Sequence, residues 1–493
     1  MKDEHITISK RAARGGMAVL AAILLISGAA WRGLAADEKP AAKLATVSTP
    51  IQHAVAGGRD SYADVVDVVA PAVVTIRTEG KAKMSPTQFQ MPDDDFFGQF
   101  FGREFGQRRG GRNMQPFKQR ALGSGVVVTT DGYILTNNHV VDGADDIKVE
   151  FTDGRTLTAK VIGTDKPSDL ALVKVNGTDF KPIAIGNSDT VKVGDVVLAV
   201  GNPLGVGETV TMGIISAKNR STSVGDGSYE DFLQTDAPIN HGNSGGALVS
   251  TKGELVGINS QILSSNDGNI GIGFAIPANM AKNVMEQLRT KGKVTRAQLG
   301  VTVQTVSSDM AASLGLKQSN GVIISSVKSG SAGDRAGLKQ GDVITAFDGQ
   351  PVHDMNTLRN RVAASGPGSN ADLTIVRDGS EKHVTVKLEE LDATAVARNG
   401  RDGDSDSNGD KAALGVAVQP SDKGLVIEDV DPNGRAADAG LQQGDIIKSV
   451  NRQPVKSVDD LRTALKKTTD KPALLLIQRQ DAQIFVTVRP ANG

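Results

Sequence analysis

From Ser61 to Ile276 the apolar positions fall in short runs broken by turn signals. The stretch "GSGVVVTTDGYILTNNHVV" (123–141) reads as strand, Asp-Gly turn, strand. The stretch "DIKVEFTDGRTLTAKVIG" (146–163) alternates Ile147, Val149 and Phe151 before a second Asp-Gly turn, a strong short-range hairpin signal. "LALVKV", "DVVLAVG", "TVTMGIIS", "ALVSTKGELVGINS" and "IGFAIP" continue the series. Short strands at near-regular spacing predict an all-β barrel or sandwich. At "PANMAKNVMEQLRTKG" (277–292) the period switches to that of a helix, with Met280, Val284, Met285 and Leu288 on one side and an end near Gly292.

Beyond the helix the chain repeats itself. "DRAGLKQGDVITAFDGQPVHDMNTLRNRV" (334–362) matches "ADAGLQQGDIIKSVNRQPVKSVDDLRTAL" (437–465) at a constant offset of 103 residues. Each copy has a leader, "QLGVTV" (298–303) or "ALGVAV" (413–418). The polar, glycine-rich "RNGRDGDSDSNGDK" between them has the composition of a flexible linker. One stretch breaks the pattern: "MPDDDFFGQFFGREFGQRRGGRNMQPFKQR" (91–120) sets five phenylalanines between 96 and 105 inside a long loop of the β domain. Exposed phenylalanines are costly, so burial against a neighbouring subunit or client is expected of it, with simple disorder as the alternative.

At 493 residues the chain has room for about three domains. The formal net charge of −1 offers no bulk attraction to nucleic acid or acidic lipid. Lys10, Arg11 and Arg14 precede the apolar run 17–31 and the small residues Gly33 and Ala35. That order reads as a secretory signal peptide, with a retained membrane anchor as the alternative. Cysteine is absent, so stability rests on packing, and a cysteine nucleophile or cysteine-ligated zinc is excluded. No HExxH stretch occurs, and no metal or cofactor is expected. The predicted divisions are signal peptide 1–36, N-terminal extension 37–60, β-rich domain 61–292, repeat modules 296–390 and 411–493, and linker 391–410.

The chemistry turns on "PINHGNSGGALVS" (238–250), where a serine lies between glycines. It fits both the Gly-x-Ser-x-Gly elbow of α/β-hydrolases and the Gly-x-Ser-Gly-Gly loop of chymotrypsin-like proteases. A nucleophilic serine needs a base, and the base needs a group that fixes its tautomer. His5 and His53 lie in the N-terminal segments, His353 and His383 in the first repeat, leaving His139 and His241. His241 would have to fold back across the Gly242–Ser244 backbone, whereas His139 ends a hydrophobic strand and Asp169 opens one. The order His139, Asp169, Ser244 is that of the chymotrypsin template. An elbow must run into a helix, but Ser244 is followed by strand, turn and strand. The N–H groups of Gly242 and Ser244 are expected to point at a developing oxyanion.

"TNNHVV", "SDLALVKV" and "GNSGGALV" together resemble the three catalytic motifs of the HtrA (Deg) family of envelope serine proteases, and the likeness runs from Ser61 through both repeats, which resemble PDZ domains. The resemblance implies a mostly β fold: a chymotrypsin-like double β-barrel serine protease domain followed by two PDZ domains. It implies His139 as general base, Asp169 as its orienter, Ser244 as nucleophile, and Gly242, Asn243 and Ser244 as the oxyanion loop. Ile272, Gly273 and Phe274 would neighbour a pocket for small or medium apolar side chains. In the PDZ-like modules, Leu299, Gly300 and Val301, and Leu414, Gly415 and Val416, would form loops that capture C-terminal peptides. The family works without ATP or metal, degrades unfolded or misfolded proteins in the periplasm, and assembles as trimers or multiples of trimers. A chaperone holding unfolded clients and a catalytically silent PDZ scaffold are the rival readings.

Overall fold

The computed structural model describes residues 61–81, 118–202, 208–222, 229–240, 242–262, 270–391, 411–412, 414–466 and 471–489. The expected signal peptide and N-terminal extension, the phenylalanine-rich stretch up to 117, the linker from 392 to 410 and His241 lie outside the described residues.

Six strands close a first barrel in the order β1-β2-β3-β6-β5-β4. They are β1 (Val73–Lys81), β2 (Lys118–Val127), β3 (Tyr133–Thr136), β4 (Asp146–Glu150), β5 (Thr156–Asp165) and β6 (Leu170–Val175). Both expected Asp-Gly turns form hairpins: β2 pairs β3 with Val126 opposite Leu135, and β4 pairs β5 with Val149 opposite Leu157. Ile76, Ile134 and Leu172 are wholly buried, as alternation along closed strands requires.

The second barrel comprises β7 (Ala184–Ile185), β8 (Val196–Gly201), β9 (Thr209–Arg220), β10 (Phe232–Thr235), β11 (Ala247–Ser250), β12 (Glu254–Ile262) and β13 (Gly273–Pro277). The order β11-β8-β9-β10-β13-β12 is closed by pairing of β11 with β12, and β7 runs parallel beside β12. Helix α1 (Ala278–Lys291) follows and ends on Gly292 in the left-handed region. Ala278, Ala281, Val284, Met285 and Leu288 are its buried residues. Met280, expected on that side, is only half-buried.

The first repeat holds β14 (Ala297–Gln298), β15 (Val301–Thr305), β16 (Val322–Val327), β17 (Val343–Phe347), β18 (Gln350–Pro351), helix α2 (Met355–Ser365), β19 (Asn370–Arg377), β20 (Ser380–Lys387) and β21 (Glu389–Glu390). The second holds β22 (Lys411–Ala412), β23 (Val416–Ser421), β24 (Gly424–Val430), β25 (Ile446–Val450), β26 (Gln453–Pro454), β27 (Ala473–Arg479) and β28 (Ala482–Val488). The shared "GD" of the repeats is structural. Asp342 and Asp445 are each 1 % exposed and paired with Arg377 at 2.6 Å and Arg479 at 2.7 Å.

Alternation along β16 divides its neighbours. Val322 and Ile324 pack with Leu358 and Val362 of α2. Ile323 faces the other way, where Leu474, Leu476 and Phe485 of the second repeat cover it together with Val306, Met310 and Val343. Phe485 donates its N–H to Gln304 Oε1 at 2.6 Å. The second module therefore sits on the back of the first module's sheet, leaving the face that carries α2 to the first module itself.

Candidate active site

Asp169 follows a short helical turn, Lys166–Ser168, and has φ +53°. That region is uncommon for any residue but glycine, and here the fold holds it. Asn137 Nδ2 and the Asn138 N–H both donate to the Asp169 carbonyl, at 2.9 and 3.1 Å. The conformation aims the carboxylate at the helical turn Asn138–Val141, where the His139 N–H donates to Oδ1 at 3.0 Å and Nδ1 lies 2.8 Å from Oδ2. With Nδ1 carrying the proton, Nε2 is left as the acceptor. The His139 and Asp169 side chains are 12 % and 23 % exposed, a half-dry setting that strengthens their interaction.

Ser260 adds a hydrogen bond that sequence reasoning missed, donating to Asp169 Oδ2 at 3.2 Å. It lies on β12 where the pairing with β13 slips between Asn259 and Gln261. A β-bulge re-aims a side chain in this way, and no local sequence signal announces it.

Ser244, 5 % exposed, sits on a tight turn before β11. The Asn243 N–H donates to Asn240 O at 3.0 Å and the Gly246 N–H to Asn243 O at 2.9 Å. Asn243 thus shapes the turn while its own N–H is already engaged. Gly242 has φ +95°, a conformation that favours glycine. Gly245 is demanded by contact as well: a Cβ there would lie 2.2 Å from Ser124 O and 2.4 Å from Thr136 Oγ1. The turn is pinned to β12 by the Gly245 N–H donating to Asn259 O at 2.8 Å.

The three expected pocket residues separate. Gly273 faces Ile239, whose Cδ1 would lie 2.9 Å from a Cβ at 273. Phe274, next along β13, points to the opposite face and packs on Phe232 with ring centroids 5.6 Å apart. Ile272 is half-buried ahead of the strand.

The two repeat loops share a backbone pattern but differ at the strand edge. Gly300 (φ +71°) and Gly415 (φ +79°) accept from the N–H groups of Lys328 and Asp431, and the carbonyls of Leu299 and Leu414 from those of Gly333 and Ala436. Val301 opens β15, which among the described residues pairs with β16 alone and forms an edge of its sheet. At Val416 the outer edge is taken: β22 pairs there, with Ala412 opposite Val416 and Lys411 opposite Ala417.

A cavity of about 710 Å³ separates the second barrel and α1 from α2, lined in part by Asp189, Asn219, Asp231, Asn360 and Arg361. Burial pushes the Asp231 carboxyl up to about 6, and the Asp189 and Asp354 carboxylates add to the rise; the Asn219 hydrogen bond and the Arg361 guanidinium oppose it. Because the folded value exceeds the usual 3.8, the contribution to stability is fully present below about pH 4 and is lost as pH rises through about 6. Asp231→Asn is therefore expected to leave stability unchanged near pH 4 and to raise it by up to about 3 kcal/mol above pH 7. Thermal melting of both proteins from pH 4 to 8 checks this, and a pH-independent difference would refute it.

The double barrel, the His–Asp pair and the serine turn define a trypsin-like serine peptidase carrying PDZ domains. A trypsin-like peptidase domain matches residues 123–258, and PDZ domains match 297–388 and 426–479. A probable periplasmic serine endoprotease DegP-like protein of Rhizobium meliloti is 41 % identical over 467 residues, covering 88 % of this chain and 92 % of its own. The periplasmic serine endoprotease DegP of Salmonella typhimurium is 40 % identical over 445 residues, covering 87 % and 92 %. Among solved structures, the HtrA-type protease AlgW with a tripeptide is 40 % identical, with a TM-score of 0.53, covering 67 % of this chain and 98 % of its own. The chain belongs to the family of DegP and HtrA-type serine endoproteases. It is a serine endopeptidase, a reading supported over a holdase or a silent scaffold.

Proposed function

We propose that His139, Asp169 and Ser244 form the catalytic triad of an ATP-independent endopeptidase acting on unfolded or misfolded proteins. The observation that carries this reading is the two-point contact between His139 and the Asp169 carboxylate. It fixes the imidazole tautomer, so that Nε2 takes the serine proton and later returns it to the leaving amine. Asp169 stabilises the imidazolium that forms between those steps, and Ser260 secures the carboxylate. The Gly242 and Ser244 N–H groups meet the negative charge of the tetrahedral intermediate. Ile272 and Gly273, beside Ile239, border a pocket for a small or medium apolar side chain. Phe274 supports that wall from its other face.

The PDZ modules read peptides by adding a strand to a sheet edge and capturing the terminal carboxylate on backbone N–H groups. Leu299, Gly300 and Val301 serve this in the first module, whose β15 is an edge strand among the described residues. Leu414, Gly415 and Val416 are the corresponding residues of the second, where β22 occupies the edge and restricts entry. The relatives named periplasmic support a periplasmic location, with export by the signal peptide at 1–36. A homo-oligomer of one or more trimers is the assembly that the resemblance implies. Labelling with a fluorophosphonate followed by peptide mapping tests the core of this reading: modification at Ser244 is expected. Modification at another residue, or none, overturns the assignment.

A further inference from the structure

We propose that Ser124 is a positioning residue for the reaction, holding both oxyanion-donor residues in register with the catalytic base. The inference rests on the assignment of Gly242 and Ser244 above and deepens it. Ser124 is wholly buried on β2 of the first barrel, whereas the serine turn belongs to the second. Its main-chain N–H donates to the Ser244 carbonyl at 2.8 Å. Its Oγ donates to the Gly242 carbonyl at 2.6 Å. One residue thus grips the carbonyls of the two residues whose N–H groups serve the oxyanion.

The hydroxyl has a single proton to give. The Asn202 N–H donates to the same oxygen at 2.9 Å, which occupies a lone pair and leaves the proton to Gly242. Fixing the Gly242 carbonyl restrains a residue that, lacking a Cβ, is otherwise free to rotate. The link to the base runs through the Ser124 carbonyl, which accepts from Thr136 Oγ1 at 2.7 Å. Thr136 ends β3 three residues before His139. The distance between base and oxyanion donors is therefore set across the barrel interface through the atoms of Ser124. An alanine would keep the main-chain bond to Ser244 and take from the buried Gly242 carbonyl the hydroxyl that holds it.

Removal of a whole oxyanion donor in other proteases lowers turnover by about 10²–10³-fold. Loosening one without removing it is expected to cost about 10–100-fold. The experiment compares wild type, Ser124→Ala and Ser124→Cys. It measures kcat and KM on a peptide substrate, the rate of fluorophosphonate labelling, the affinity for a peptide boronate that forms a tetrahedral adduct, and the affinity of PDZ1 for a peptide. In Ser124→Ala, kcat, labelling and boronate affinity are expected to fall together, with KM within about twofold and PDZ1 affinity unchanged. Ser124→Cys, of similar size and weaker as a donor, is expected to lie between the other two, and decides the matter if the alanine variant fails to fold. Wild-type labelling and boronate affinity in a folded variant lacking the hydroxyl overturn the inference. Loss of PDZ1 affinity in step with kcat overturns it too, because that marks a general loss of structure. A wild-type protein that labels elsewhere than Ser244 instead defeats the triad reading beneath it.

Discussion

Ser244→Ala is expected to lower turnover by about 10⁶-fold, the scale at which loss of a triad nucleophile acts in a protease of unrelated fold. His139→Ala is expected to match it, and the double variant to be no worse than either alone, because nucleophile and base act as one unit. Asp169→Ala is expected to cost somewhat less, about 10⁴-fold, since the imidazole remains but its tautomer and orientation are no longer held. His241→Ala is expected to retain activity, because the Asp169 carboxylate is already committed to His139 by two contacts. Hydrolysis of an unfolded protein substrate by purified variants, with folding checked by circular dichroism, provides the measurement. A tenth of wild-type turnover in Ser244→Ala would remove Ser244 as nucleophile. An inactive His241→Ala beside an active His139→Ala would mean that the base is misassigned.

The legible part of this protein was its local chemistry. Asp-Gly turns at 131–132 and 153–154 announced two hairpins because glycine takes at little cost the positive φ found there, +94° at Gly132 and +87° at Gly154, and both form in the first barrel. The chain order of His139, Asp169 and Ser244 distinguished two catalytic templates without any geometry. The helix after the protease domain was visible in its period, although Met280 sits at the margin and Ala281 in the core. What escaped was whatever depends on register between distant strands. Ser260 reaches Asp169 only because a bulge in β12 shifts it. Ser124 reaches the serine turn only because two barrels meet there. The resemblance put Phe274 beside the pocket together with Gly273, and period-two alternation turns the two to opposite faces, Phe274 packing on Phe232. The repeats matched so closely that their loops read as equivalent, whereas the pairing of β22 distinguishes them.

Peptides ending in a free carboxylate are expected to bind the first PDZ module and raise turnover about 5–150-fold, the range of common allosteric couplings. The packing supplies a route from the β15 edge to the proposed triad. The Met355 N–H at the start of α2 donates to Thr305 Oγ1 of the edge strand β15 at 3.1 Å. From the same helix, Asn356 and Asn360 each donate an amide N–H to Glu230 O at 2.6 Å. The guanidinium groups of Arg359 and Arg296 lie over the adjacent Tyr229 ring, 4.7 and 4.3 Å from its centroid. The Tyr229 N–H donates at 2.6 Å to the carbonyl of Pro167, in the turn that delivers Asp169. A peptide that shifts α2 is therefore expected to act on the segment that carries Asp169. It does so only as far as it favours one arrangement over the other. Sigmoidal activation is expected if the subunits of an oligomer switch together. Gly300→Val places a branched side chain at φ +71° where a Cβ would lie 2.2 Å from Ser331 Cβ. It is expected to weaken peptide binding and leave basal turnover intact. Titrating free and amidated peptides against wild type and Gly300→Val separates the possibilities. Equal affinity for the two peptide ends would show that the carboxylate is not what the module reads. Full activation of Gly300→Val would move the sensor from this loop into the protease domain.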